Sequence, residues 1–462
     1  MIRKNETDVC IIGAGIGGLT AGSLLAQQGF NVKIFEKEFL IGGRALTLDM
    51  SSLTLENYQE LLRKFQMHIP FSEPPLDTIF KNKMLEGYHL NLGFHVFGGG
   101  TEFNIKQATP DATIDMIKSK LYVAEKGNPY LFATNADKIK MIPHLLRLFL
   151  SGKKTIELLD NVPLAETIKK YNKGKTKLIL ELNPRLITTV NNLNLISTGE
   201  VFRTQRQMKL KGVRYPKRGI AHVCNYLAEV ITQHGGEIHL NTPVTKIHIE
   251  KNKATGVVAK GKSYPCDVVV STMLVQDLFT IADKKRFPDD YVDKLKSLRG
   301  TGSLCAYYSL THVDSKILGK NFVFIERDAG VEGTDVAGMV DFMSALPESG
   351  LAPPQQHLVQ SYIICTPDEA KNKETLEKLK RILDKQLETI LPDFRSHLQW
   401  AIYPSIWHLD GVAKTIDNTK PDIQTPIKNL YVIGDCVKAP GIGINCAINS
   451  ARLLSQTLST AI

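Results

Sequence analysis

The sequence predicts an α/β fold, in which a parallel βαβ sheet assembled from separate stretches is joined by a second α+β domain with an antiparallel sheet and helices. Three observations predict it. A glycine-rich turn joins an apolar strand to a helix near the start, a similar strand and turn precede a helix near the end, and strand-like runs fill residues 300–365. At 462 residues, 43% of them hydrophobic, the chain exceeds a single core, so two domains are expected.

The first element is the stretch CIIGAGIGGLTAG at residues 10–22, where glycines spaced G-x-G-x-x-G follow a strand-like run. The first glycine allows a tight turn, and the second lets the backbone approach a pyrophosphate. The third lets the helix pack closely on the sheet with its N-terminus facing the anion. Three glycines can also make an ordinary turn. The candidate cofactor-binding residues of this turn are Gly13, Ala14, Gly15, Gly17 and Gly18.

A helix and a second strand complete the first unit. Residues 19–28 suit a helix, Gly29 suits its C-terminal end, and residues 31–35 have the pattern of a strand. That strand ends at Glu36, 18 residues after Gly18, where a carboxylate can accept hydrogen bonds from an adenosine ribose. The unit has the length of one βαβ half, so we expect a dinucleotide, of either the nicotinamide or the flavin type.

The residues that follow favour a flavin. Gly42, Gly43 and Arg44 place a turn and a fixed cation just beyond the acid, suited to a phosphate or a ribityl chain, and Lys37 is a further candidate contact. From the glycine turn to G-G-R, the N-terminus resembles the flavoprotein superfamily that includes amine oxidases, protoporphyrinogen oxidases and phytoene desaturases. The resemblance implies FAD as the cofactor and an FAD-binding domain of the Rossmann type.

A second signal is NLYVIGDCVKAPGIGINCAINSAR at residues 429–452, a short apolar strand, Gly434 and Asp435, then a glycine-rich turn into a helix. In the superfamily it resembles, this pair closes the flavin site, and the aspartate holds a ribityl hydroxyl. The resemblance also implies that the following helix, from Gly443 and Ile444, directs its N-terminus at the pyrimidine edge of the ring, where a helix end would stabilise a reduced flavin. An ordinary β-turn is the alternative for Gly434 and Asp435.

The middle of the chain resembles the phytoene desaturase branch. Y-P-K-x-G precedes a helix at residues 215–219, although Arg218 stands where glycine is usual in the branch, and G-G-E-I-x-L-N-x-x-V follows. The resemblance implies that Val244 places its backbone against the adenine. The stretch YHLNLGFHVFGGG implies that Gly93 and His95 lie beside the flavin ring. A core strand valine and a structural histidine remain the plainer alternatives for Val244 and His95.

These elements suggest a domain division. Residues 1–100, 210–280 and 425–462 are expected to form the discontinuous FAD-binding domain, and residues 101–209 and 281–424 the substrate-binding domain. We expect residues 105–200 to be mostly helical. Residues 281–424 contain strand-like runs at 303–310, 321–325, 337–343 and 357–365 and a helix near 371–390. The aromatic residues of this part either line a pocket or, as we favour, fill the core: Trp400, Tyr403 and Trp407.

Several classes of protein and site are not indicated. No run approaches the ~18 apolar residues of a membrane span, and charges interrupt the N-terminal residues, so neither a spanning helix nor a secretory signal is expected. Seven cysteines without a C-x-x-C pair favour a reducing, cytoplasmic setting, with Cys436 either buried filler or near the flavin. No metal-binding spacing and no serine-nucleophile elbow occur, so no metal is predicted.

The formal charge of +10 is concentrated between Arg203 and Arg218, which include seven basic residues and no acidic one. No nucleic-acid-binding module accompanies them, so a solvated basic face or an anionic lipid surface is expected instead of nucleic acid. Residues 138–154, KIKMIPHLLRLFLSGKK, predict a short amphipathic helix. It either packs on the substrate domain or lies peripherally in a membrane interface.

Together these observations predict an FAD-dependent oxidoreductase that transfers hydride between the flavin and a lipophilic, isoprenoid or carotenoid-like substrate, in desaturation, saturation or isomerisation. One alternative is a flavin amine oxidase. Another is a non-catalytic, prenyl-protein escort type of binding protein, against which intact Glu36, Arg44 and Asp435 argue. No catalytic side chain, electron acceptor, direction of electron flow or oligomeric state is indicated by the sequence.

Overall fold

The computed structural model describes residues 7–93, 96–98, 100–111, 113–125, 129–137, 139, 150, 152–169, 174–208, 213–330 and 334–461. Its strands are β1 (Asp8–Ile12), β2 (Asn31–Phe35), β3 (Thr47–Asp49), β4 (Met67–Glu73), β5 (His89–Asn91), β6 (Met116–Lys118), β7 (Leu121–Val123), β8 (Tyr130–Leu131), β9 (Arg214–Pro216), β10 (Glu237–His239), β11 (Val244–Glu250), β12 (Lys253–Ala259), β13 (Lys262–Pro265), β14 (Val268–Ser271), β15 (Gly302–Leu310), β16 (Asn321–Glu326), β17 (Val336–Asp341), β18 (His357–Cys365), β19 (Leu398–Ile406) and β20 (Leu430–Val432).

The helices within these ranges are α1 (Ile16–Gln27), α2 (Leu55–Lys64), α3 (Leu76–Lys81), α4 (Thr101–Ala108), α5 (Lys153–Glu157), α6 (Leu164–Ile168), α7 (Gly174–Thr188), α8 (Thr198–Met208), α9 (Ala221–Gln233), α10 (Asp289–Ser297), α11 (Lys373–Ile390), α12 (Phe394–His397) and α13 (Gly443–Ala461). Short 3-10 turns occur at Met50–Ser52, Val275–Thr280, Lys284–Arg286, Pro347–Ser349 and Glu369–Lys371. Among the described residues, no helix combines the length and the apolar character that crossing a membrane requires.

A five-stranded parallel sheet in the order β10-β2-β1-β14-β20 organises the first part of the molecule. Alternate residues of β1 point to opposite faces, as the period of a strand requires. Val9 and Ile11 join a core with α1, α9 and α13, whereas Cys10 and Ile12 join a core with the three-stranded sheet β11-β12-β13. The strands come from the start, middle and end of the chain, and the predicted discontinuous α/β fold is confirmed.

The second sheet has eight strands in the order β4-β19-β15-β18-β17-β16-β7-β8, and all its neighbours are antiparallel except β16 and β7. One face packs on α11, and the other on leucines of the first part such as Leu48 and Leu90. The predicted antiparallel sheet is thus confirmed. Trp400 and Tyr403 are fully buried core residues of this sheet, and Trp407 is half-buried.

The expectation of mostly helical structure over residues 105–200 is wrong in its first third. Helix α4 ends at Ala108, and β6, β7 and β8 follow. Each of these strands is only two or three residues long. Strands β6 and β7 pair with β9 and β16, which lie far along the chain, and β8 pairs with β7, so local pattern alone did not reveal them. In the predicted amphipathic stretch, residues 138, 140–149 and 151 lie outside the described part of the chain, so the helix predicted there stays a prediction. Gly152 is the N-cap residue of α5.

The basic segment does not form one solvated face. Arg203 pairs with Asp160 and with Glu200. Arg214 lies 3.7 Å from Glu102, and Lys217 lies 3.8 Å from Asp115. Both of these acids lie about a hundred residues earlier in the chain. Tertiary ion pairs therefore neutralise part of the positive charge. Lys209 and Lys211 lie outside the described residues.

The backbone of Arg218 has a φ of +64°, which lies in the left-handed region. This conformation accounts for the glycine expected at this position. That conformation costs a non-glycine residue about 1–2 kcal/mol, and the side chain is exposed. We expect Arg218→Gly to raise the free energy of unfolding by about 0.5–1 kcal/mol, the released strain less the backbone entropy that glycine loses. Urea denaturation measures the change. Arg218→Ala keeps the strain and is the control; a less stable glycine variant would contradict the prediction.

Candidate functional site

The N-terminal glycine turn connects β1 to α1 at the edge of the parallel sheet where its strands end. Gly13 has a φ of +102°, and its amide donates to the Phe35 carbonyl at 2.8 Å. A Cβ on Gly18 would lie 2.1 Å from the Gly13 carbonyl oxygen. Gly15 caps α1 without any side-chain hydrogen bond, and the first turn holds no acid. The N-terminal amides of α1 are therefore left to an outside anion.

Glu36 follows β2 and lies beside this turn. Its Oε2 accepts from the Ala14 amide at 2.7 Å, and its Oε1 accepts from the Glu38 amide at 2.9 Å. Burial raises the pKa of Glu36, while the two amide hydrogen bonds oppose that rise. The carboxylate is thus fixed at the end of the strand, where a ribose is expected in this type of unit. Lys37 extends into solvent, with 64% of its side chain exposed.

The second glycine turn packs directly against the first. Gly42 forms a parallel bridge with Gly15, and its amide donates to the Ala14 carbonyl at 2.8 Å. Gly43 has a φ of +59°, and a Cβ there would lie 3.2 Å from the Gly15 Cα. The two turns thus form one cradle of backbone atoms at the N-terminus of α1. Side chains at these glycine positions would fill the space between the two turns.

Arg44 joins this cradle to the C-terminal motif. Its Nη2 lies 2.8 Å from both carboxylate oxygens of Asp435, and its Nη1 donates to the His408 carbonyl at 2.7 Å. Burial disfavours ionisation of Asp435, but the charges of Arg44 and Lys420 outweigh it and lower its pKa to about 2. The two halves of the predicted site are therefore held together by an ion pair.

Three further residues hold Asp435, and the sequence reasoning did not name them. The Gly411 amide donates to Oδ2 at 2.9 Å, Lys420 donates to the Asp435 carbonyl, and the His408 carbonyl completes the ring through Arg44. All three lie in residues 407–421, which have no periodic pattern. Their signal was the alternation of acidic and basic residues in an otherwise irregular stretch, at Asp410, Lys414, Asp417 and Lys420.

The C-terminal helix starts where it was predicted. Gly443 is the first residue of α13, and Ile444 is half-buried beside it. Gly434 has a φ of +130°, and its amide donates to Ser450 Oγ at 2.9 Å, which ties the turn to the helix. Cys436 is fully buried and contacts an Asp435 oxygen at 3.4 Å, as expected of a small buried residue next to the site.

The remaining predicted contacts are partly placed. Gly93 is buried with a φ of +95°, and its amide donates to the Tyr307 hydroxyl at 3.0 Å. Val244 begins β11 and is half-buried, two residues after Thr242, whose amide donates to the Glu36 carbonyl at 2.7 Å. His95 lies outside the described residues. The individual cofactor contacts stay predictions.

The residues present fit a flavin dinucleotide. An uncapped helix N-terminus, two glycine turns in contact and a fixed carboxylate supply what the adenosine diphosphate part needs. The Arg44–Asp435 ion pair connects these turns to the C-terminal motif, which leads into α13. Within the described ranges, no cluster of three or more histidine, cysteine or acidic residues is arranged to hold a metal ion.

Comparison with known proteins supports the same conclusion. Residues 80–458 match the family model of flavin containing amine oxidoreductase, and residues 11–61 match that of the NAD(P)-binding Rossmann-like domain. A 4,4'-diapophytoene desaturase (4,4'-diapolycopene-forming) of Methylomonas sp. is 24% identical over 55% of this chain and 50% of its own length. A 1-hydroxycarotenoid 3,4-desaturase of Flavobacterium sp. is 23% identical over 69% of this chain and 66% of its own length.

The matched region thus spans between half and two thirds of the length of these relatives. Among solved structures, an oxidoreductase from Methanosarcina mazei superposes with a TM-score of 0.65 at 20% identity, covering 97% of this chain and 100% of that one. This likeness shows a shared fold. Because the first family model spans most of the chain, the protein belongs to the flavin-containing amine oxidoreductase family, and its cofactor is FAD.

Proposed function

We propose that this FAD-dependent oxidoreductase exchanges a hydride with a C–H bond of a lipophilic, isoprenoid or carotenoid-like substrate, in desaturation, saturation or isomerisation. The observation that supports it most is the joined cradle: the two glycine turns are in contact, Glu36 is fixed beside them, and the Arg44–Asp435 pair connects them to the C-terminal motif. Relatives named as carotenoid desaturases indicate the substrate class.

The chain's own residues have distinct tasks in this proposal. FAD, when bound, supplies the hydride acceptor or donor. The amides at the start of α1 bind its diphosphate, Glu36 accepts from its ribose, and Asp435 holds the ribityl chain with Arg44 compensating its charge. The apolar face of the eight-stranded sheet excludes water from the reacting bond.

A flavin amine oxidase is the second candidate, because the matching family model carries that description. Substrate tests separate the two. Purified protein loaded with FAD is mixed with polyenes or with amines, without oxygen, and the visible absorbance of the flavin is followed. We expect bleaching by a reducing polyene substrate, or reoxidation of chemically reduced FAD by a polyene acceptor, and neither by amines.

Bleaching by amines alone would overturn the proposal in favour of an amine oxidase. If the protein is colourless as purified and does not take up FAD, the result would favour the non-catalytic, escort type of binding protein instead. The matched control is the Glu36→Gln variant, which removes the ribose-binding charge and should lower FAD retention without changing which substrate class bleaches the remaining flavin.

Access to a lipid-borne substrate motivates a proposal about the membrane. Leu150 and Leu158 are 82% and 79% exposed on either side of α5, which starts with Lys153 and Lys154. Each lysine near an anionic surface contributes about 1 kcal/mol to binding. We therefore expect Lys153→Glu with Lys154→Glu to weaken sedimentation with anionic liposomes by about tenfold or more.

Bound FAD should stay unchanged in this double variant, which shows that the fold is intact. Lys284→Glu with Lys285→Glu makes the same change of charge elsewhere and is the control. Equal sedimentation of all three proteins, or no binding by any of them, would contradict the contact with the membrane.

A further inference from the structure

A row of four polar side chains crosses the eight-stranded sheet. Tyr307 lies directly opposite Gln360, Gln360 opposite Asp341, and Asp341 opposite Asn321, on the neighbouring strands β15, β18, β17 and β16. None of the four is more than 1% exposed. The next row on the same face is formed by the core residues Cys305, Tyr362, Met339 and Val323. Polar groups thus cross a face that is otherwise built for packing.

The row is poorly satisfied by the protein around it. Asp341 Oδ1 accepts from the Met343 amide at 2.7 Å, but Oδ2 has no hydrogen-bond partner among the described residues. The same holds for both amide atoms of Asn321. Each buried polar group left in this state costs about 1–3 kcal/mol. Stability alone would favour apolar side chains here, so the row points to a role in function.

Tyr215 connects this row to the predicted flavin segment. Asn91 Nδ2 donates to its hydroxyl, and the Gln360 side chain lies beside it without a hydrogen bond of normal geometry. Burial and then the nearby Asp341 carboxylate raise the pKa of Tyr215. This tyrosine is the first residue of the Y-P-K-x-G motif, and it lies where the segment and the row meet.

The other end of the connection is Gly93. The Tyr307 hydroxyl donates to the Asn91 carbonyl and accepts from the Gly93 amide at 3.0 Å. Asn91 also accepts from Thr47 Oγ1 at 2.8 Å. The hydrogen-bonded network thus runs from Gly93 through Tyr307 and Asn91 to Tyr215. Asp341 makes no hydrogen bond to these four residues, but its carboxylate acts on Tyr215 through its charge. Little water screens that charge in so buried a place.

Asp341 is the titratable carboxyl of the row, and it lies beside this network. Burial raises the pKa of Asp341 to about 7, although the hydrogen bonds from Met343 and Ser344 act to lower it. The groups that face it are Tyr215, which stays protonated, and the neutral amides of Asn321 and Gln360 on the neighbouring strands. A modest change of local charge near neutral pH is therefore enough to load or unload its proton.

We propose that Asp341 holds the proton that accompanies hydride exchange with the flavin. The inference rests on the proposed function. In a desaturation, one C–H bond gives its hydrogen and electron pair to FAD as hydride. The adjacent C–H bond leaves its electron pair in the new double bond, and its proton ends on Asp341 Oδ2; a saturation runs in reverse. Substrate hydrogens and electrons are then all accounted for without another reactant.

The test needs no substrate. The midpoint potential of FAD bound to the full chain is measured at pH values spanning the pKa of Asp341, with redox dyes as mediators. If reduction draws a proton onto Asp341, the potential of the wild type falls more steeply with pH around neutrality than that of Asp341→Asn. The slopes should agree again well above and well below this range. The asparagine can still accept from the Met343 amide, which preserves the local turn.

Asp384→Asn is the matched control, because Asp384 is a buried carboxylate on α11, across the same sheet, and it accepts from Tyr308 and Tyr403. Its slope should equal that of the wild type. If Asp341→Asn does not fold, a reduced-minus-oxidised infrared spectrum of the wild type replaces it, in which a protonated carboxyl band should grow near neutral pH. Equal slopes, or no such band, overturn the inference. Failure of the protein to bind FAD would instead overturn the proposed function.

Discussion

Asp435→Ala is expected to lower the affinity for FAD by about fivefold to more than a hundredfold and to destabilise the fold. The lost carboxylate leaves Arg44 and the Gly411 amide without their acceptor. Unsatisfied partners in a buried polar network cost about 1–3 kcal/mol, which gives that range of affinity. Removing one member of a fully buried ion pair costs about 3–5 kcal/mol. Because 30% of the Arg44 side chain is exposed, we expect roughly 2–3 kcal/mol of lost stability.

Equilibrium dialysis of FAD and thermal unfolding measure the two effects. Asp335→Ala is the control, because it breaks a comparable pair with Arg185, whose side chain is 5% exposed, in the other part of the molecule. It should lower stability and leave FAD affinity unchanged. A folded Asp435→Ala protein with wild-type affinity would show that the C-terminal motif is only a turn.

The same ion pair predicts a pH dependence. The pKa of Asp435, about 2, lies below its ordinary value of about 4. A carboxyl with a lowered pKa stabilises the fold fully above its ordinary value, and this stabilisation is lost as the pH falls from about 4 towards 2. The difference in stability between wild type and Asp435→Ala should therefore persist at pH 5 and shrink only in stronger acid.

Gly18→Ala is expected to abolish retention of FAD through purification. Its Cβ would lie 2.1 Å from the Gly13 carbonyl oxygen and 3.2 Å from the Thr272 side chain, so the turn and α1 must separate. Helix α1 is almost fully buried between the sheet and its neighbours and has no room to shift. Overpacking of this kind costs about 1–3 kcal/mol or more, and the strain falls on the phosphate-binding backbone itself.

Gly22→Ala is the control within the same helix, because the added methyl group would meet only the ends of the Ile34 and Ile231 side chains, at 2.8 and 3.1 Å, away from the phosphate-binding turn. We expect this variant to keep its FAD and its melting temperature within a few degrees. The visible absorbance per protein measures the retained flavin. Equal flavin content in the two variants would mean that the close approach of helix and turn does not hold the cofactor.

Local pattern predicted the elements whose signals are local. Strands β2 and β18 were predicted with the bounds that the structure has, because each is a run of five or nine strand-forming residues between turns. The glycine turn, Glu36 and the start of α13 were likewise found from spacing. The short strands β6–β8 were not predicted, because β6 and β7 form strands with the distant β9 and β16, and β8 then pairs with β7.

The sequence predicted the N-terminal and C-terminal motifs of the candidate site, but not the residues that hold these motifs together. No spacing indicates that residues 407–421 wrap around Asp435, since that stretch lacks any period. The polar row is equally hidden, because Asn321, Asp341 and Gln360 become neighbours only once the register of three strands is fixed. Register depends on turns and packing throughout the sheet, which a single sequence does not reveal.

The ion pair between Arg44 and Asp435 joins residues 391 positions apart. During synthesis, the ribosome completes the first glycine turn long before it reaches β20, the strand that precedes Asp435. The early segment must therefore wait, with part of its hydrophobic surface uncovered, until the last strand and helix arrive. Closing so long a loop costs only slightly more than closing one of half the length. Because FAD binds the form in which the two motifs are joined, we expect it to stabilise that form by mass action.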